Sequence, residues 1–317
     1  MRCDTLNYNS GNNTAYFSGP THITSSGDKI YCESGWYNTT NDIAKFSKNA
    51  YVDTKQQKMK GDSIFFDKVK DEGRAYGNVS IIDSAQSIIV SGNKAVRIGK
   101  LETSTVTGNA LLKQFYGEDT LFLHADTLRA VDEHPISRKG VKDTSITWRV
   151  LYAYKKVKFY RTDMQGKCDS LVYSGKDSIM RLFKDPVMWQ EENQLTAEKV
   201  EMKITSGQIK NLYLQNQAFI ISEEDSIKYN QIKGKQMTGY FNENKLVRIF
   251  VEGNGQTIYF AKDKDKLIGI NRANCTNLMI YIKDNSVEKI TFLKKPDATL
   301  FPMSDFMPKE FLLKDFN

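Results

Sequence analysis

Four cysteines, three histidines and a recurring aspartate are the side chains whose type and spacing could carry chemistry in this sequence. Cys3, Cys168 and Cys275 each open the same short motif, at a place that Gly or Ala fills in other copies. A thiol in such a slot is a small apolar side chain. The three lie several repeats apart, too far to bond in a linear stack. Cys3 and Cys32 sit in adjacent units and are the one pair within reach. His22, His124 and His134 show no metal-ligand spacing, and no Cys or carboxylate cluster joins them. His22 and His124 read as strand residues and His134 as a loop residue, so no metal is expected.

Asp4, Asp62, Asp126 and Asp169 recur at one motif position. Such a row could hold calcium, but the period is about 30 rather than 9 and a glycine-rich frame is missing. Capping of local backbone, or a polar outer row, explains them better. Asp163 and Asp169 with Arg161 and Lys167 form the one group that a carbohydrate-active β-helix enzyme would use, and charged turns explain it equally well. No Gly-x-Ser-x-Gly, phosphate-binding loop, His-Glu-x-x-His or Gly-x-Gly-x-x-Gly frame occurs. No catalytic residue and no cofactor is assigned, and a non-enzymatic protein is expected.

The elements that would position these residues are strands. Runs such as Ile88-Ile89-Val90, Asn211-Leu212-Tyr213-Leu214 and Leu278-Met279-Ile280-Tyr281-Ile282 are β-rich, and turn formers such as Asn9-Ser10-Gly11 and Lys70-Asp71-Glu72-Gly73 break them. Helical periodicity is scarce. One mark repeats: a small residue, a polar residue, one more, then an apolar one. Cys3-Asp4-Thr5-Leu6, Gly61-Asp62-Ser63-Ile64, Ala125-Asp126-Thr127-Leu128 and Cys168-Asp169-Ser170-Leu171 are its clear copies. Glu33-Ser34-Gly35-Trp36 fits with a break at the small position. A second mark follows about 15 residues later in Gly19-Pro20-Thr21, Asn49-Ala50-Tyr51, Gly77-Asn78-Val79 and Gly108-Asn109-Ala110. Roughly nine units of about 30 residues follow, each too small to bury its own apolar face, so neighbours must stack.

The reading is all-β: a stacked β-repeat, either a β-helix or an open, curved pair of sheets. Residues 1–131 form a first half, 132–145 an inserted loop, 146–299 a second half, and 300–317 a cap over the last unit or a docking segment. The 317 residues are 40% hydrophobic, which supports a packed core and excludes global disorder. A net charge of +7 without dense basic clusters argues against a nucleic-acid partner and permits an anionic one. No run reaches the roughly 18 apolar residues of a membrane helix. The chain opens Met-Arg-Cys-Asp without an apolar leader and starts inside a repeat unit, which reads as an internal start of a longer chain.

The apolar position two past the polar mark, with the residue two further on, makes one stripe. Its members are Leu6, Tyr8, Trp36, Ile64, Phe66, Leu128, Leu171, Tyr173, Val200, Met202, Met237, Leu278 and Ile280. A dry core and the wall of a lipid groove satisfy such a stripe equally.

The small-Asp-Ser/Thr-Leu strand, and the Gly-Asn-Val strand that follows the turn, resemble the OstA-like family. That family contains LptA and the periplasmic N-terminal part of LptD, and the style here is that of its Bacteroidetes versions. Lys60 to Ile82 is the best stretch. The resemblance implies an incomplete β-jelly roll, or β-taco, with a β-helix as runner-up. It selects the groove reading of the stripe, with lipopolysaccharide acyl chains as ligand. It further implies a periplasmic location, with other Lpt bridge components or head-to-tail self-association through open sheet ends as partners. A structural or adhesive β-solenoid with a dry core is the alternative, and a carbohydrate-active β-helix the third.

Overall fold

β-branched and aromatic residues at alternate positions, interrupted by short Gly, Asn and Asp turns, build antiparallel hairpins one after another. The structure, a computed structural model, describes all residues except 26, 56, 139, 264–265, 284–285 and 317; Lys139, within the predicted loop, thus lies outside the described residues. Regular helix is absent among them, apart from 3-10 turns at Gly99–Leu101 and Met303–Asp305. The chain forms two compact units, Met1–Arg161 with Ser174–Lys176, and Thr162–Tyr173 with Asp177–Asn317.

The first unit runs β1 (Thr5–Asn9), β2 (Thr14–Ser25), β3 (Asp28–Asn38), β4 (Ile43–Asp53), β5 (Lys58–Asp67), β6 (Glu72–Asp83), β7 (Ile88–Ile98), β8 (Thr103–Tyr116), β9 (Asp119–Glu133) and β10 (Trp148–Arg161). Each strand is antiparallel to the next. The second contains β11 (Met164–Ser174), β12 (Ile179–Phe183), β13 (Val187–Gln190), β14 (Asn193–Thr196), β15 (Lys199–Thr205), β16 (Gln208–Asp225), β17 (Lys228–Asn242), β18 (Lys245–Asp263), β19 (Lys266–Lys283), β20 (Ser286–Leu293) and β21 (Asp297–Phe301). All of its described pairings are antiparallel too. A β-helix, the runner-up reading, needs parallel strands and is excluded.

The boundary between units falls at Arg161/Thr162 rather than in the loop at 132–145. That loop joins β9 to β10, and β10 pairs with β9 on both sides of its bend, which holds it in the first unit.

The two sequence marks meet at one feature. In nearly every long pair the register slips once near mid-strand, as between Ser47 and Ala50 on β4 or Tyr76 and Val79 on β6. At five of these slips two consecutive residues take left-handed backbone: Lys48 and Asn49, Gly77 and Asn78, Gly108 and Asn109, Asn216 and Gln217, Gly253 and Asn254. Such a bulge bends the strand, dividing it into two arms. Gly and Asn adopt this conformation at low cost, which is why the second mark is written with them. The polar residue of the first mark sits across from the bend and caps it. Asp62 accepts from Asn78 Nδ2 at 3.1 and 3.2 Å, Glu33 from Asn49 at 2.7 Å, and Glu198 from Asn216 and Gln217 at 3.0 and 2.8 Å. The Glu198 amide also donates to Asn216 O, and the Thr276 amide to Lys294 O. At Asp62 the carboxylate meets a side-chain amide of the bend rather than local backbone and stays exposed, as a polar outer row would. The small residues of the mark line the crease: Thr21 opposite Cys32, Ala50 opposite Gly61, Ala110 opposite Ala125, all buried.

One crease neighbour is fixed by sterics. Gly35 lies between Phe17 and Phe46 on the inner face, and a Cβ there would stand 2.5 Å from both Lys45 O and the Phe17 ring. Gly35→Ala is expected to cost about 1–3 kcal/mol by overpacking, read as a shifted denaturant midpoint with unchanged slope.

The C-terminal segment is not stacked beyond the last strand. Phe311 and Leu313 pack with Phe219, Ile258, Phe260 and Ile270, on the outer face of one arm of β16, β18 and β19. Gln231, fully buried, holds the segment: its Nε2 donates to Phe311 O at 2.9 Å, and its Oε1 accepts from the Leu313 amide at 2.7 Å.

Candidate functional site

Each arm presents one apolar row inward. In the first unit the lower arm carries Leu6, Phe17, Gly35, Phe46, Ile64, Ala75, Ala95, Val106, Leu128 and Ala153 in continuous register from β1 to β10. The upper arm, past the bend, carries Ile23, Ile30, Val52, Met59, Ile81, Val90, Leu112, Leu123 and Phe159 from β2 to β10. Neither row contains a charged residue. Cations lie on the opposite faces, with Lys58 Nζ over the Tyr51 ring at 4.5 Å and the Arg74 guanidinium over Phe65 at 5.9 Å.

The upper row is uneven. Leu112, Leu123 and Phe159 are buried, whereas Ile23, Ile30, Val52, Met59, Ile81 and Val90 are only half-buried. Six aligned aliphatic side chains thus keep contact with solvent on an inward face.

In the second unit the same pattern is fully packed. Val200, Leu214, Met237, Val251 and Leu278 form one row, and Met202, Leu212, Ile249 and Ile280 the next, all at most 3% exposed. Nearer the arm ends a cavity of about 230 Å³ opens, with Ile249, Ile280 and Ile290 in its wall and a largely polar and charged remainder that includes Gln190, Glu191, Glu192, Asn193, Glu223 and Glu224.

The predicted stripe separates into three groups in this frame. Ile64 and Leu128 are buried in the first unit, and Leu171, Val200, Met202, Met237, Leu278 and Ile280 are buried in the second, where Ile280 also lines the cavity. These side chains fill the space nearest the crease, so they contact other side chains and leave little surface for a ligand. Leu6, Tyr8 and Phe66 are exposed, Leu6 and Tyr8 because β1 has β2 as its one described neighbour. Tyr173 is half-buried. Trp36 is a correction. It lies opposite Tyr16 and Lys45, on the outer face, because the mark in this unit is Cys32-Glu33 and the inward residue is Gly35.

The row that sequence reading missed is the upper one, from Ile23 to Phe159, with its counterparts Ile220, Ile232 and Thr257 in the second unit. Its signal was present: Ala50-Tyr51-Val52, Val79-Ser80-Ile81 and Ala110-Leu111-Leu112 alternate after each second mark as regularly as Leu6 and Tyr8 do after the first.

The groups considered for chemistry are dispersed. All four cysteines are free. Burial pushes the Cys32 thiol up to about 11 and the Cys168 thiol up to about 12, and raises Cys275 as well. These three stay protonated and are expected to resist alkylation at pH 8 in the native protein. The half-buried Cys3 reacts first, and all four react after denaturation, as counted by mass spectrometry. His134 is not a free loop side chain, its side chain being 5% exposed. Its Nε2 lies 3.2 Å from both Glu102 carboxylate oxygens, and its Nδ1 3.0 Å from Ile146 O, which ties down the loop. Lys142 pairs with the same carboxylate and holds it below the usual range, together with His134. Lys167 Nζ sits over Trp189 at 5.5 Å and Asp169 pairs with Lys184 at 3.5 Å, so these two do not converge. Among the described residues no group of His, Cys, Asp and Glu could hold a metal.

Residues 85–208 match the family described as LptA/(LptD N-terminal domain) LPS transport protein. A solved structure, that of LptH, the LptA-homologous periplasmic component of the lipopolysaccharide transport device of Pseudomonas aeruginosa, is similar at 15% identity. The similarity covers 40% of this chain and 82% of that one, with a TM-score of 0.32. No curated protein matches the chain.

Proposed function

We propose that this chain, assigned over residues 85–208 to the OstA-like/LptA family, is a lipopolysaccharide transport module that carries acyl chains between its two arms. The observation that supports this reading is the half-exposed row from Ile23 to Val90, which faces inward and bears no charge. An acyl chain laid along it would remove six aliphatic side chains from water, the step that drives such binding. Anionic head groups would remain outside, where the excess of cations lies. The work asked of the protein is solvation and release of lipid, which needs no catalytic group.

The location that goes with this role is the periplasm. Other bridge components, or further copies of the chain, fit the sheet edges: among the described residues β1 pairs with β2 alone and β20 with β19 alone. Exposed edges of this kind template pairing with another chain. The packed rows of the second unit favour a structural share for that unit, with transport carried by the first.

The test is recovery of lipid from protein made in a Gram-negative host. Mass spectrometry of the solvent extract is expected to show lipid A species in stoichiometric amount. A protein that arrives empty, and binds no added lipopolysaccharide, would return the reading to a structural solenoid.

A further inference from the structure

The C-terminal segment sits on the second unit as a bound peptide would. Three alternate residues of β17 meet it on one face. The Tyr229 ring packs on Phe316 with centroids 5.2 Å apart, Gln231 bonds Phe311 and Leu313, and Lys233 Nζ donates to Lys314 O at 3.0 Å and pairs with Asp315 at 2.6 Å. Both Gln231 bonds go to main-chain atoms of the segment. Gln231 is held ready for them, because its Nε2 also donates to Tyr229 O at 3.1 Å. Main-chain bonds for affinity and side-chain pockets for specificity are the division of labour of an extended peptide docked on a sheet.

The pocket for Phe311 is complete without the segment. Phe219, Ile258, Phe260 and Ile270 form it together with Phe301 and Phe306, whose rings Phe311 meets at 5.3 and 6.0 Å. Phe306 is itself fixed on Phe260 at 5.4 Å. Between Phe306 and Phe311 lie residues 307–310, all exposed and closed into a turn by the Glu310 amide, which donates to Met307 O at 3.0 Å. Opening that turn carries residues 311–316 away from their own groove, over about 13 Å when the connector is extended. The same contacts are then remade on another copy, so such an exchange costs little beyond the lost tether. An empty groove would expose large apolar side chains and strip two partners from a fully buried amide, so a displaced segment must be replaced.

We infer that this outer face of the second unit is a docking groove for an extended Phe-x-Leu segment, and that its occupant in trans is residues 311–316 of another copy of the chain. The inference is independent of the lipid reading, which concerns the inner faces.

The experiment uses the full chain with its own segment weakened by Phe311→Ser and Leu313→Ser, and a fluorescein-labelled peptide of residues 309–316 as probe. Anisotropy is expected to show saturable binding to this double variant. The wild type should bind at least tenfold more weakly, because its own segment competes from a high local concentration. Adding Gln231→Met to the double variant should weaken the peptide at least tenfold, the scale of lost hydrogen bonds. Circular dichroism melts check that each variant is folded; if the double substitution unfolds the unit, Leu313→Ser alone carries the same reading. The second copy is tested by mixing two full chains, the double variant with its groove intact and Gln231→Met with its segment intact. Sedimentation is expected to show a one-to-one complex that neither chain forms alone. A folded double variant that ignores the peptide, or binding unchanged by Gln231→Met, would overturn the groove. Peptide binding without a complex in the mixture would overturn the second copy as its occupant.

Discussion

Ile81→Asp is expected to weaken lipopolysaccharide binding by roughly 100-fold, about 3 kcal/mol, while the protein stays folded. Ile81 lies mid-row between Met59 and Val90 and is half-buried in the empty protein. In the apo state its carboxylate keeps water contact, so folding is affected little. Once an acyl chain covers the row, the carboxylate must lose its water or take up a proton. The neighbour Ser80 faces the other side, opposite Lys60 and Ser91, because successive strand residues point to opposite faces. Ser80→Asp should leave both fold and binding intact. Equal loss in the two variants would show that the row is not the ligand wall.

Leu278→Asp should do the opposite, removing stability rather than affinity. Leu278 is fully buried, faces Val251 and Phe292 across the sheet, and would stand 3.1 Å from a Cβ on Gly255. A carboxylate there has no partner and no water, and the loss is about 4 kcal/mol or more. Such a loss lowers the melting temperature of the second unit by roughly 10 °C. Calorimetry should show it as a lowered transition temperature. A Leu278→Asp protein that melts like the wild type would mean that this face is wet, and that the second unit too is an open groove.

Much of this architecture could be read from the chain. The repeat spacing reported the hairpin length, and the two marks were the two sides of one bulge, Asp62 capping the left-handed pair Gly77-Asn78. All-β structure and the small buried thiol at Cys168 followed from the same slots. What the chain concealed was which apolar face stays open. Leu171 and Ile81 are equally apolar and equally well placed in their repeats, yet one is fully buried and the other half-exposed. That difference depends on how closely the arms pack, which alternation does not encode. Trp36 was misplaced because Gly35, not an apolar residue, fills the fourth position of the mark and makes the next residue look like the inward one. A one-residue slip turns a strand side chain to the other face. The C-terminal segment was illegible for a different reason: its anchor, Gln231, is 80 residues away from Phe311 in sequence, and no local pattern marks so distant a contact.

The central claim is that acyl chains lie along the upper inner row of the first unit. A photo-crosslinking amino acid placed singly at Val52 and at Ile81, with Tyr51 and Ser80 as outward controls, tests it most directly in lipopolysaccharide-producing cells. The account predicts lipopolysaccharide adducts from Val52 and Ile81 and none from Tyr51 or Ser80. Adducts from the outward pair alone, or from neither pair in a folded protein, would contradict it.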